Sequence, residues 1–116
     1  LLHSLVDGFV DDDVFWPILQ RDLEEGVHIN ETGQLRYFTT AVFHRPEQLK
    51  AEVEGAGFVD VDLLPIEGAA WLAKDFDERW RDEARRQRLL ELARKTEQDE
   101  TLLGASLHLL AIGRKP

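Results

Sequence analysis

Ser106-Leu107-His108-Leu109-Leu110-Ala111-Ile112, stopped by Gly113, is the stretch whose pattern decides the fold. In an extended chain Leu107, Leu109 and Ala111 point one way and Leu110 and Ile112 the other, so the run is apolar on both faces. Such a strand expects helices above and below it and a place inside a sheet, with His108 on a covered face as a structural histidine. Its partner is Phe58-Val59-Asp60-Val61-Asp62-Leu63-Leu64, which alternates and turns Asp60 and Asp62 to the exposed side. The two are expected to be antiparallel neighbours. Two strands alone are marginal in water and leave an apolar edge unpaired, so the sheet is expected to have members outside these 116 residues.

Outward from this pair, Pro46-Glu47-Gln48-Leu49 opens the clearest helix, with Leu49, Val53 and Ala56 on one stripe and Gly57 as its end. Between the strands the spacing predicts an irregular segment after Pro65. A long helix then covers about 78–98, with Trp80, Ala84, Leu89, Leu92 and Ala93 inward. Nearer the start, Leu1, Leu2, Leu5, Val6 and Phe9 fall at helical spacing. A second helix over about 13–25 accommodates Pro17 only in its first turn and stops at Gly26. Residues 27–36 read as a loop with Asn30 and Gly33 as its hinge, and 37–43 as a short extended segment. No repeat or linker interrupts the chain, which reads as one partial domain: a helical segment 1–45 and a remainder 46–116.

With 116 residues, 43% hydrophobic and 32% charged, the chain has the composition of a folded domain. It has no cysteine, which excludes disulfides, thiolate metal sites and cysteine nucleophiles. No apolar stretch is long enough to span a membrane and no secretory signal is visible, so a cytoplasmic protein is expected. A net charge of −9 repels phosphate backbones and argues against nucleic acid. The basic run Arg79–Arg88 is interleaved with acids and reads as a solvated helix face. Methionine is absent even at position 1, so a piece of a longer chain is expected.

Three segments together resemble the carboxyl half of class I, Rossmann-like S-adenosylmethionine-dependent methyltransferases of the small-molecule type. Tyr37-Phe38-Thr39-Thr40-Ala41-Val42-Phe43-His44-Arg45-Pro46-Glu47-Gln48-Leu49 resembles the aromatic-rich lead into that family's last large helix. Glu52-Val53-Glu54-Gly55-Ala56-Gly57-Phe58 is similar to its turn into the sixth strand, and Ala105 to Pro116 to its closing strand and basic tail. The resemblance implies an α/β fold comprising a helical cap plus two antiparallel strands of a larger sheet. It further implies S-adenosylmethionine as cofactor, a small-molecule substrate, and a substrate-capping role for residues 1–40. The family holds its cofactor through a glycine-rich turn after the first strand and an acid ending the second. This chain has neither, so no cofactor residue is carried over. The unpaired sheet edge or the cap offers a route to a homodimer. A different class of reading is a free-standing, non-catalytic α+β module that dimerises or binds a ligand.

Methyl transfer needs alignment, exclusion of water and sometimes a base, not a nucleophilic side chain or a metal. Trp16, Tyr37, Phe38 and Phe43 are the expected substrate-binding aromatics, and the core of the cap is the structural alternative for each. His44, just ahead of a helix start, is the expected base, with helix capping as its alternative role. His28 in a loop is a weaker base, and His3 faces solvent. Trp71 is assigned either to the border of the cleft or to packing against the long helix. No histidine pair has metal-site spacing, and Asp11-Asp12-Asp13 is explained by capping.

Overall fold

A computed structural model describes residues 2–116. It is a mixed α/β structure with two small antiparallel sheets, divided into two compact units, Leu1–His44 and Arg45–Pro116. That division falls one residue from the boundary expected between the cap segment and the rest.

In the first unit, α1 runs Leu2–Val6; the reading at Leu1 lies outside the described residues. The helix stops earlier than the apolar spacing suggests, because Gly8 takes a left-handed φ of 75° and turns the chain into a 3-10 segment, Phe9–Asp11. Helix α2, Trp16–Glu25, carries Pro17 in its first turn, where a missing N–H costs nothing, and ends at left-handed Gly26. The chain then reverses. Val27–His28 (β1) pairs antiparallel with Ala41–Val42 (β2), so the expected loop begins with a strand. Phe15, Ile18, Leu19 and Tyr37 form the core of this unit, with Phe9 and Val10 packed against it.

In the second unit, Pro46 opens α3 (Pro46–Gly55), and Gly57, at φ 92°, turns the chain into β3 (Val59–Pro65). Strand β4 (Leu109–Arg114) pairs antiparallel with β3, as the sequence predicts, with Asp62 opposite Ile112 and Leu64 opposite Leu110. A bulge at Asp60 shifts the register. Gly113 lies inside β4 and does not stop it: a Cβ there would come within 3.0 Å of Phe58, so glycine permits the close approach. Helix α3 packs along both strands. Burial nevertheless alternates along β4. Leu109 and Ala111 are half-buried, whereas Leu110 and Ile112 are 46% and 49% exposed. The strand expected to be covered on both faces is covered on one, and among the described residues each strand keeps an unpaired edge.

The single helix expected over 78–98 is two. Helix α4 (Phe76–Arg81) ends at Asp82, whose extended backbone and side chain start α5 (Glu83–Thr96) by accepting the Arg85 N–H at 2.9 Å. The break corrects the inward face as well. Leu89 and Ala93 are half-buried, but Ala84, Leu92 and Trp80 are exposed, with Trp80 stacked on Phe76 at 5.5 Å. Helix α5 packs on the 3-10 segment Gly68–Leu72, which contains Trp71.

Candidate functional site

The first unit separates the expected substrate aromatics into two groups. Trp16, Phe38 and Phe43 are exposed. Tyr37 is 1% exposed and is a core residue: its ring packs in a cluster with those of Phe9 and Phe15, and its hydroxyl donates to Asp12 Oδ2 at 2.8 Å. Arg36 lies over the same ring and donates to the same carboxylate oxygen. The Tyr37 hydroxyl, aided by the Val14 and Phe15 N–H groups and the Arg36 charge, holds the Asp12 carboxyl below its ordinary range against the opposing effect of burial. A side chain so engaged has no surface left for a ligand; it supports its neighbour Phe38 instead.

Phe38 has φ 68° and ψ −163°, a conformation that is almost confined to glycine, and its ring is exposed. The turn is held from outside. Asn30 donates from Nδ2 to the Gln34 and Phe38 carbonyls at 2.9 and 2.7 Å, and its Oδ1 accepts from the Thr32 N–H and hydroxyl. The expected hinge at Asn30 is therefore a tied turn.

His28, read from sequence as a loop residue, is 2% exposed. Nδ1 lies 2.8 Å from Asp22 Oδ2 and Nε2 lies 2.7 Å from the Tyr37 carbonyl oxygen. Both ring nitrogens are thereby engaged. A histidine with both nitrogens engaged and buried cannot serve as a base. It fastens α2 to the Tyr37 turn, with the Phe15, Phe38 and Phe43 rings around it. His44 is exposed, two residues before Pro46. His3 is exposed and pairs with Asp7 one turn on.

The second unit contains a cluster that the sequence pattern hides. His108 is not mid-strand on a covered face; it precedes β4 and its side chain is 70% exposed. Its Nδ1 donates to Glu67 Oε1 at 2.5 Å, and its backbone N–H donates to Glu67 Oε2 at 3.0 Å. Ser106 Oγ lies 2.9 Å from Glu67 Oε2 and 2.8 Å from the His108 carbonyl, sharing its one proton between them. Its lone pairs accept the Glu67 and Gly68 N–H groups at 3.2 and 3.3 Å. Partial burial alone would raise the Glu67 carboxyl. The His108 imidazole, the His108 N–H and Ser106 outweigh burial and bring it from 4.5 down to about 2. Every hydrogen-bonding position of Ser106 is taken, and its contact is with the carboxylate, not the imidazole. The nucleophile–base contact of a serine hydrolase is not assembled. Beside this cluster, Trp71 Nε1 donates to the Ala105 carbonyl at 2.8 Å.

The residues present do not fit S-adenosylmethionine by themselves. Gly55 and Gly57 lie at a helix-to-strand turn, whereas cofactor approach needs a strand-to-helix turn. The turn that follows β3 has its Glu67 and Gly68 N–H groups already given to Ser106. Among the described residues no group of three acidic or histidine side chains could hold a metal ion, and no helix is long and apolar enough to cross a membrane. No protein-family model, curated protein or solved structure matches the chain.

Proposed function

We propose that the chain is the carboxyl-terminal, substrate-capping portion of an S-adenosylmethionine-dependent methyltransferase that acts on a small molecule in the cytoplasm. The observation that carries the reading is the order α3, Gly57 turn, β3, helical excursion, antiparallel β4, with Leu110 and Ile112 left exposed and the outer edge of β4 unpaired. An antiparallel closing strand with an apolar open face is what the resemblance implies for the end of a larger Rossmann-like sheet. Phe38 adds support, since an exposed aromatic in a costly backbone conformation is a common feature of ligand-contacting turns. Residues 1–45 act as the cap, with Trp16, Phe38, Phe43 and His44 offered to the substrate and Tyr37 and His28 setting the Phe38 turn. Cofactor binding belongs to residues outside this chain.

Calorimetry with S-adenosylmethionine tests the reading in two parts. The 116-residue chain is expected to show no binding, and the product of the reading frame extended upstream of Leu1 is expected to bind stoichiometrically. Absence of binding by the extended product, or an upstream sequence without a strand, a Gly-x-Gly turn and an acidic strand end, refutes the proposal.

A further inference from the structure

We propose that His108, oriented by Glu67, is a proton-accepting site whose Nε2 takes the proton from an ionisable hydroxyl of a small-molecule ligand. The geometry determines which nitrogen is available. Glu67 Oε1 faces Nδ1 at 2.5 Å, so the neutral ring carries its one hydrogen on Nδ1 and its lone pair on Nε2. The carboxylate cannot swing away, because Oε2 is held by the His108 N–H and by Ser106. The order of exposure is that of a base backed by its orienting acid: the imidazole is 70% exposed and the carboxylate behind it 27%. The arrangement stands where β3 ends and β4 begins. His28, by contrast, has both nitrogens occupied, and His3 contacts Asp7 through Nε2.

On transfer the O–H bond breaks, its electron pair stays on oxygen, and the proton forms a bond to Nε2. The resulting imidazolium lies against a carboxylate that is already ionised, which stabilises the charge as it forms. The proton-accepting geometry does not rest on the methyltransferase reading. Glu67 is the positioning residue, and it contacts His108 alone of the two reacting partners.

The test uses the 116-residue chain. Nitrogen-15 spectra of His108 are expected to show Nδ1–H as the main neutral tautomer, the reverse of a free histidine. Glu67→Ala is expected to restore the Nε2–H form, whereas Ser106→Ala, which loosens the same turn, is expected to leave it unchanged. Should Glu67→Ala unfold the unit, Glu67→Gln keeps the shape without the charge. With 4-nitrophenyl acetate as a probe of the free Nε2 lone pair, both Glu67→Gln and His108→Gln are expected to slow cleavage about threefold or more. A wild-type Nε2–H tautomer, or unchanged cleavage in His108→Gln, overturns the site. Failure of the extended product to bind S-adenosylmethionine while the tautomer holds refutes the methyltransferase reading alone.

Discussion

Replacing Leu19 by alanine tests the account of the first unit at its weakest point, the small size of its core. Leu19 is 2% exposed and lies in α2 with Phe15, Ile18 and Tyr37 as its buried companions. Truncation removes the transfer free energy of three carbons and leaves a cavity that the surroundings fill only in part, about 3 kcal/mol or more in all. Two of the flanking groups resist relaxation. The Tyr37 hydroxyl is held by Asp12, and the Tyr37 carbonyl by His28. The cost therefore lies in the upper part of the range that Leu→Ala substitutions span. Leu23, one turn further along α2 and 49% exposed, supplies the control, with an expected cost below about 1 kcal/mol. Native-state hydrogen exchange of the α2 amides measures both: Leu19→Ala should lower their opening free energy by the larger amount and Leu23→Ala should barely change it. Equal effects at the two positions, or a loss under about 1 kcal/mol at Leu19, would refute the core as described.

Three further outcomes are expected. The Glu67 carboxyl is depressed in the folded protein, so its stabilisation is complete above pH 4.5 and lost as pH falls towards 2. Urea titrations should show Glu67→Gln losing roughly 1–2 kcal/mol at neutral pH, allowing for solvent screening at a partly exposed site, and converging with the wild type at about pH 2. Asp82→Ala removes the cap of α5 and should cost about 1 kcal/mol, with exchange protection lost first at Arg85 and Arg86; an unchanged exchange profile would argue for one continuous helix. Leu110→Lys with Ile112→Lys should change the stability of the chain by about 0.5 kcal/mol or less in urea titrations, because both side chains are exposed; unfolding of the double variant would show that the face is covered.

The parts of the fold that were legible in the sequence are those governed by neighbours along the chain. Pro46, Gly26 and Gly57 mark where helices start and stop because their backbone preferences are local, and Asp60 and Asp62 mark an exposed side of β3, although the bulge at Asp60 leaves Val59 exposed as well. The misread positions depend on partners that spacing does not reveal. His108 fits a strand pattern by position, and Glu67, which takes it out of that pattern, lies 41 residues away. His28 sits among polar loop residues, and its burial follows from the reversal at Gly26 that brings Asp22 alongside. Tyr37 belongs to an aromatic run in which composition cannot separate the ring that packs from the rings left exposed; its contact with Asp12 makes that choice. The helix break at Asp82 had a visible signal, an acid followed by Glu83, but apolar spacing on either side concealed it.

The clasp between Glu67 and residues 106–108 closes the neck of everything from Gly68 to Ala105. Closing a loop depends only logarithmically on its length, so halving this excursion would change the entropy of closure by about 0.6 kcal/mol. The neck can thus tolerate large insertions and deletions in α4 and α5, which makes this segment a natural place for lineages to diverge in length while the strand pair stays constant. The same arrangement sets a tempo. Pairing of strands separated by so long an interval is a non-local contact, which slows folding relative to the local contacts of the helices.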